Sequence, residues 1–232
     1  MNDPRIRHRI EKTRNKYSRA ILRENTIIIR LAKNLSERER REHIQNLLDR
    51  MMDQVRKERH KKLIHPFRHL LNGGQNQTVK IATGKRYTFT LLPGKRTKTV
   101  KKGDGWQITV SPHVRREALH RLLWSLLSKA EQERVERLVE QINLEKTSVR
   151  YKNVRLSFAQ SQWGSCSPCG TIMVNAALLF VPPSLLHYVI VHELVHCRIP
   201  NHSVRYWNLV EQALPHYKNV YHKLQQYRLP TL

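Results

Sequence analysis

The chain has 232 residues, 39% of them hydrophobic, which is enough to bury a core, and its formal net charge is +25. Three cysteines are too few for a disulfide framework, and no run of about 20 apolar residues is present, so the composition excludes a disulfide-stabilised module and a membrane-spanning protein. No signal-like apolar segment follows the first residues, and we therefore expect a reduced, cytoplasmic protein without a membrane partner.

The first part of the chain, residues 1–70, is expected to be a basic hairpin followed by a helix. Residues 1–16 are polar and basic, as in a loose arm. Two short β-prone runs, 17–23 and 26–31, meet at a two-residue turn and predict a β-hairpin. A Ser-x-x-Glu capping box and apolar residues at three- and four-residue steps then predict an amphipathic helix over 36–62.

The second part, residues 75–112, is expected to be a small, basic antiparallel sheet. Its strand-forming runs are 80–82, 87–92, 97–101 and 106–110, separated by glycine-containing turns. The basic side chains that we expect to contact anions are Lys85, Arg86, Lys95, Arg96, Lys98 and Lys101. Such a surface favours non-specific nucleic-acid binding through phosphates, although a surface that only confers solubility would have the same composition.

The third part, residues 113–232, begins with a predicted helix over 113–141 whose charged residues, Glu131 among them, are expected to face solvent. Strands are predicted over 149–154, 156–159 and 171–180. No Lys, Arg, Asp or Glu occurs from Leu156 to His192. In a chain this rich in charge, that stretch is the predicted core, and it leads directly into the most informative motif.

A His-Glu-x-x-His motif lies in the helix predicted after Pro182-Pro183. His192 and His196 are four residues apart, so both imidazoles leave one helix face about one turn apart. Zinc takes such nitrogen ligands, and His202, beyond the helix-breaking Pro200, is the candidate third ligand. The motif also occurs by chance on helix surfaces. Here it interrupts an apolar run, where uncoordinated polar side chains would be costly to bury, and we predict one catalytic zinc ion.

Glu193 follows the first histidine of the motif and lies about 100° around the helix from it. This position suits contact with a metal-bound water better than contact with the metal, so its predicted role is general base. The candidates for contacts to the substrate or to a developing oxyanion are Tyr206 and Tyr188, which are close to the motif in sequence.

These motifs resemble those of the YgjP-like metallohydrolases, relatives of the SprT-like and WLM zinc peptidases. The matching segments are Trp163-Gly164-Ser165-Cys166-Ser167, Asn175-Ala176, the run from Tyr188 to His196, Asn201-His202-Ser203 and Tyr206-Trp207. The match is close over 160–218 and holds in outline over 17–145. Gln162 stands where the family usually has arginine, and Cys169 is a second departure. The resemblance implies an α+β fold with a zincin-like catalytic half, zinc on the three histidines and Glu193 as the base.

We therefore expect a single domain over 1–232, with a zinc catalytic part in its last half, that hydrolyses peptide bonds in a peptide or protein substrate. The resemblance also implies a rival activity, a pyrophosphatase acting on a UTP-like nucleoside triphosphate, which the positive charge would favour. A third reading is a nucleic-acid-binding protein with a structural metal. A closed fourth ligand would indicate it, and Cys197 is the only thiol next to the motif.

Overall fold

The computed structural model describes residues 7–23 and 26–230, which form a mixed α+β protein with small sheets. The described residues up to Lys62 form one compact unit, and those from Leu63 onward form a second. Residues 1–6 of the predicted arm and the hairpin turn predicted at Glu24-Asn25 lie outside the described residues. The expectation of a single domain over the whole chain stays a prediction. Within the described ranges, no helix is long and apolar enough to cross a membrane.

The first unit contains a three-stranded sheet. Its strands are β1 (Arg7–Lys12), β2 (Arg19–Arg23) and β3 (Thr26–Leu31), in the order β1-β3-β2. Antiparallel pairing of β2 with β3 confirms the hairpin. The prediction of a loose arm over 1–16 was wrong in part, because residues 7–12 form β1, which pairs in parallel with β3. The physical reason is that the apolar strand β3 buries Ile27 and Ile29 completely and needs backbone partners along both edges.

Helix α1 (Glu37–Arg59) follows and confirms the amphipathic helix, which ends three residues before the predicted 62. The capping box forms as predicted: the Glu39 carboxylate accepts from the Ser36 backbone N–H at 2.8 Å, and the Ser36 hydroxyl accepts from the Glu39 N–H at 3.3 Å. The residues of α1 that pack on the buried face of β3 are Ile44, Leu47, Leu48, Met51 and Met52.

The second unit begins with short elements and a four-stranded sheet. These are β4 (Lys62–Leu63), α2 (Arg68–Leu71), β5 (Asn76–Lys80), β6 (Arg86–Pro93), β7 (Lys98–Lys102) and β8 (Gly105–Val110). The sheet has the order β5-β6-β8-β7, and β8 runs parallel to β6. The prediction of a purely antiparallel sheet was therefore wrong.

The difference in burial between β7 and β8 explains this order. Every residue of β7 is exposed, whereas β8 buries Trp106 and Ile108. A lysine-rich strand is best placed at an edge, where its side chains stay in water and its charges discourage pairing with another chain. The apolar strand that follows it therefore takes the inner position next to β6.

Helix α3 (Arg116–Ile142) confirms the predicted long helix and is followed by a π-helical turn over 143–147. Glu131 was predicted to face solvent but is 1% exposed, so that prediction was wrong. Its carboxylate accepts hydrogen bonds from the Tyr87 hydroxyl and the Arg134 guanidinium. These partners, one of them on β6, satisfy the buried acid, which helical periodicity alone does not reveal.

A second sheet of this unit contains part of the stretch from Leu156 to His192, in which no Lys, Arg, Asp or Glu occurs. Its strands are β9 (Asn153–Ser157), β10 (Gly164–Cys166) and β11 (Thr171–Asn175), in the order β10-β11-β9. The two strands predicted over 149–159 are one, and the strand predicted over 171–180 ends at Asn175. That side chain accepts from the Ala177 N–H at 3.0 Å and caps a 3₁₀ helix over 176–180, which ends the strand.

The last elements are helical apart from one short strand. They are α4 (Pro183–His196), α5 (Val204–Ala213), α6 (Tyr217–Leu224) and β12 (Tyr227–Arg228). Helix α4 starts at a proline as predicted and buries most of its length, including Ile190, Val191 and Leu194 with no exposed surface. A mostly buried helix therefore presents the His-Glu-x-x-His motif.

Candidate metal centre

Three histidine side chains converge at the end of α4. His192 and His196 come from its last two turns, and His202 comes from the loop before α5, where the Ser203 hydroxyl caps the next helix by accepting from the Tyr206 N–H at 3.4 Å. The Nε2 atoms of His196 and His202 are 3.1 Å apart, and those of His202 and His192 are 3.3 Å apart. One ring nitrogen from each of the three histidines lies within 4.8 Å of the other two. The three side chains can therefore hold one metal ion.

The lowered pKa values of His192 and His196 suit metal binding. Burial, followed by the neighbouring rings of His196 and His202, lowers the pKa of His192 to about 3. Burial also lowers the pKa of His196. Neutral imidazoles keep a lone pair on the ring nitrogen, which a metal requires of its ligands. The other nitrogen of His196, Nδ1, lies 3.1 Å from the Ile199 carbonyl oxygen, a contact that orients the ring.

Glu193 is 5% exposed on the same helix turn, and burial raises the pKa of its carboxyl to about 8. Gly164 of β10 lies against it: a Cβ added at that glycine would come within 2.6 Å of Glu193 Oε1 and 2.9 Å of Val189 Cγ1. The close approach of strand and helix therefore depends on glycine at this position. The Gly164 in the Trp-Gly-Ser-Cys motif was part of the resemblance, but its steric role could not be inferred without the fold.

A cleft of about 1050 Å³ opens over this centre. Its walls are His192, Glu193 and His196 from α4, the whole of β10, and residues 150–152 before β9. Arg150, Tyr151 and Lys152 were missed by sequence analysis. No motif marks them, and they reach the cleft because the Lys152 backbone N–H donates to the Gly170 carbonyl at 2.8 Å, which fixes them beside the turn that follows β10.

The two predicted contact tyrosines do not line the cleft. Tyr206 has no exposed surface, its ring stacks on His196 with 4.5 Å between centroids, and its hydroxyl donates to the His192 carbonyl at 3.0 Å. Tyr188 is 3% exposed and packs against Tyr217. Burial raises the pKa of both phenols. Tyr206 packs on α4 from α5, and Tyr188 is a buried residue of α4 itself. Neither lines the cleft, and substrate contact by either stays a prediction.

The basic residues of the four-stranded sheet occupy exposed positions, as the composition predicts. Lys85 differs from the others because its ammonium lies 5.0 Å from the centre of the Tyr87 ring and 3.9 Å from the Glu131 carboxylate. Its charge is thus partly engaged within the protein. Anion binding by Arg86, Lys95, Arg96, Lys98 and Lys101 stays a prediction.

Three converging histidines beside a buried carboxyl group define a candidate metal centre. The family model described as "YgjP-like, metallopeptidase domain" matches residues 16–227, and the chain belongs to this family. The match confirms the resemblance, and it includes the hairpin, α1 and the four-stranded sheet, where the resemblance holds in outline.

Two solved metallopeptidase zymogens are similar to part of the chain. The metallopeptidase zymogen of Pyrococcus abyssi abylysin is 27% identical, and the match covers 40% of this chain and 98% of that chain with a TM-score of 0.36. The metallopeptidase zymogen of Methanocaldococcus jannaschii jannalysin is 22% identical, covering 40% of this chain and 94% of that chain, also with a TM-score of 0.36. A comparison with curated proteins found no match.

Proposed function

We propose that the chain is a zinc-dependent peptidase in which His192, His196 and His202 hold the metal and Glu193 is the general base. The observation that carries the proposal is the convergence of three imidazole nitrogens, 3.1 and 3.3 Å apart, in a cleft that the adjacent Glu193 also lines. Membership of a metallopeptidase-domain family supports the same reaction class.

The spacing of the nitrogens fits zinc. Two ligand nitrogens about 2.0–2.1 Å from a tetrahedral zinc ion are roughly 3.3–3.4 Å apart, close to the separations between the Nε2 atoms of these histidines. Three neutral nitrogen donors, without a cysteine, are also a donor set that zinc enzymes use for catalysis. The hydrogen bond available to Nδ1 of His196 matches the outer contact that such ligands usually make.

The number of protein ligands supports a catalytic metal site over a closed structural one, which would need a fourth ligand from the protein. Cys197, the thiol nearest in sequence, is not part of the ligand group: its Sγ lies 3.3 Å from Cys166 Sγ and 3.8 Å from the Glu193 carbonyl oxygen. Within the part of the chain that the structure describes, no fourth His, Cys, Asp or Glu joins the group. An open position of this kind distinguishes catalytic zinc centres from structural ones.

When bound, zinc supplies a Lewis acid that polarises a carbonyl group, acidifies water and favours the ionised form of a neighbouring carboxyl. The carboxylate of Glu193 then accepts a proton from the attacking water and returns it to the leaving amine. The low exposure of Glu193 keeps bulk water from competing for this proton.

The edge strand β10 offers a way to hold an extended peptide. The Asn175 N–H donates to the Trp163 carbonyl and the Ser167 N–H donates to the Thr171 carbonyl, both at 2.9 Å. Because hydrogen-bonding direction alternates along an antiparallel strand, the backbone groups of Gly164 and Cys166 point to the outer edge of β10. A substrate that pairs there would lie along the cleft beside Glu193, which favours a peptide or protein substrate.

Two assays on the metal-loaded protein separate this proposal from the rival pyrophosphatase reaction. Release of free amines from a denatured protein should appear with the wild type and disappear when a chelator removes the metal. Release of pyrophosphate from UTP should stay at the level of the chelated control. Metal-dependent pyrophosphate release without amine release would reject the peptidase and support the nucleotide reaction.

Metal content tests the ligand set directly. His202→Ala should lose most of the bound zinc, because two imidazoles leave the ion two ligands short of its usual shell. His113→Ala is the matched control, since this histidine is exposed and outside the cleft, and it should retain zinc at the wild-type level. Full zinc retention in His202→Ala would remove that residue from the site.

A further inference from the structure

Two cysteine thiols meet in the wall of the cleft. Cys166 is the last residue of β10, and Cys197 follows the last residue of α4. Their Sγ atoms are 3.3 Å apart, although 31 residues separate them in the chain. Both are half-buried, and both line the cleft beside the histidines. The contact therefore bridges the strand that would hold a substrate and the helix that carries Glu193.

We propose that Cys166 and Cys197 form a redox modification site that hydrogen peroxide closes to a disulfide, and that closure slows peptide hydrolysis. In the reaction two S–H bonds break and one S–S bond forms. The two electrons and two protons released reduce one peroxide to two molecules of water. Thiol reductants reverse the change by exchange. Disulfide formation rests on the geometry alone, whereas the effect on hydrolysis also rests on the proposed function.

The short distance between the two sulfur atoms means that a disulfide requires only a small movement of the chain. A disulfide has an S–S bond of about 2.05 Å, so the two sulfur atoms need to approach by roughly 1.2 Å from their present separation. The ends of the two elements can supply this movement, because Cys166 is the last residue of β10 and precedes a turn, and Cys197 is the cap residue after α4. Neither thiol is a ligand in the histidine group, so closure does not require the metal to leave.

The expected effect on hydrolysis follows from what the pair connects. Cys197 Sγ also contacts the Glu193 backbone carbonyl at 3.8 Å, and Gly164, two residues before Cys166, lies so near that an added Cβ would be 2.6 Å from Glu193 Oε1. Pulling β10 towards the end of α4 therefore shifts the edge strand relative to the general base. A misplacement of about 1 Å at a catalytic group can lower a rate by ~10²-fold, and we expect kcat/KM to fall by at least ~10-fold.

Cys169 has to be replaced so that oxidation of Cys166 and Cys197 can be measured without a third thiol. It is exposed at the rim of the same cleft, and hydrogen bonds from Ser167 and Thr171 lower the pKa of its thiol. Burial raises the pKa of Cys166 to about 12 and also raises that of Cys197. Cys169 should thus be the first thiol to react with any reagent. In Cys169→Ser, Cys166 and Cys197 are the remaining thiols.

The experiment treats metal-loaded Cys169→Ser with hydrogen peroxide and follows the free thiols, the peptide map and kcat/KM before oxidation, after oxidation and after reduction with dithiothreitol. The expected result is loss of both free thiols, a mapped Cys166–Cys197 linkage within one chain, unchanged zinc content and a reversible fall in kcat/KM. The double variant Cys169→Ser/Cys197→Ser should show no reversible fall relative to its own reduced state.

Persistence of both free thiols, or linkage only between chains, would overturn the modification site. A mapped intrachain disulfide with an unchanged kcat/KM would overturn the effect on hydrolysis. If the reduced protein releases no amines at all, the proposed peptidase function fails, and the thiol count and peptide map still decide whether the disulfide forms.

Discussion

At the scale of single residues, the candidate site depends on how little room surrounds the carboxylate of Glu193. The absence of a side chain at Gly164 lets β10 approach α4, and a methyl group there would lie within 3 Å of Glu193 and of Val189. Such a contact has to be relieved by movement of the strand or of the carboxylate, because the helix behind Glu193 is fully packed.

Gly164→Ala is therefore expected to lower kcat/KM by at least ~10-fold through displacement of Glu193. Zinc content should stay at the wild-type level, because the atoms nearest to an added Cβ belong to Glu193 and Val189 and not to the three histidines. Peptide hydrolysis and metal content, measured on one preparation, check this. Wild-type kcat/KM in the variant would show that the strand yields without moving the carboxylate.

At the scale of elements, α5 stabilises the histidine-bearing end of α4. Tyr206 joins the two helices, with its hydroxyl donating to the His192 carbonyl at 3.0 Å and its ring against His196. Tyr206→Phe removes the hydroxyl and keeps the ring. We expect the free energy of unfolding to fall by about 1 kcal/mol, the usual contribution of one such hydrogen bond.

The rate of peptide hydrolysis distinguishes a tyrosine that only supports α4 from one that contacts the substrate. Tyr206→Phe should retain kcat/KM within a few-fold of the wild type, whereas loss of an oxyanion donor costs ~10²–10³-fold. Tyr17→Phe serves as the control for stability, because Tyr17 is 73% exposed. A large loss of turnover in Tyr206→Phe with unchanged denaturant unfolding would return this tyrosine to the list of substrate contacts.

The elements that sequence predicts best are those specified by local chemistry. The capping box at Ser36 starts α1, and the proline start and apolar frame of α4 place both histidines of the motif on one face. Positions that depend on distant partners escaped prediction. The order of β7 and β8 was decided by burial, and the burial of Glu131 by a hydrogen bond from Tyr87 on β6. The Asn175 side chain, which caps the 3₁₀ helix, also donates to the Ala159 and Gln162 carbonyls.

The candidate site shows the same division. Spacing predicts the two helical histidines and Glu193, and the loop break at Pro200 makes His202 reachable. Residues 150–152 enter the cleft through a backbone contact with Gly170, which leaves no pattern in the sequence. Nearness in sequence does not show burial: Tyr188 and Tyr206 are close to the motif, yet both are buried and neither lines the cleft, so their contact with substrate stays a prediction.

At the scale of the whole molecule, the core of the larger unit contains a buried histidine that limits stability in acid. His120 is 1% exposed, and its Nε2 accepts from the Trp124 indole N–H at 2.8 Å. Burial, then the nearby His65 and Arg116, lowers the pKa of His120 from 6.5 to about 4. The unfolded chain therefore binds this proton more readily than the folded one.

The contribution of neutral His120 to the free energy of unfolding is therefore present above pH 6.5 and is lost as the pH falls towards 4. A pKa difference of this size corresponds to up to about 3 kcal/mol. Urea unfolding at pH 7 and pH 5 should show lower stability at pH 5 in the wild type. His120→Gln keeps an acceptor for the indole without a titrating ring, and it should reduce that difference. An equal pH dependence in both proteins would contradict the assignment to His120.

The most direct measurement of the central claim compares Glu193→Gln with the wild type for bound zinc and peptide hydrolysis in the same preparations. The amide is nearly isosteric with the carboxyl group, so the fold and the three histidines should be unaffected. The account predicts wild-type zinc content with a loss of hydrolysis of at least ~10²-fold, the range expected when a general base is removed. Hydrolysis at the wild-type rate by zinc-loaded Glu193→Gln would contradict it.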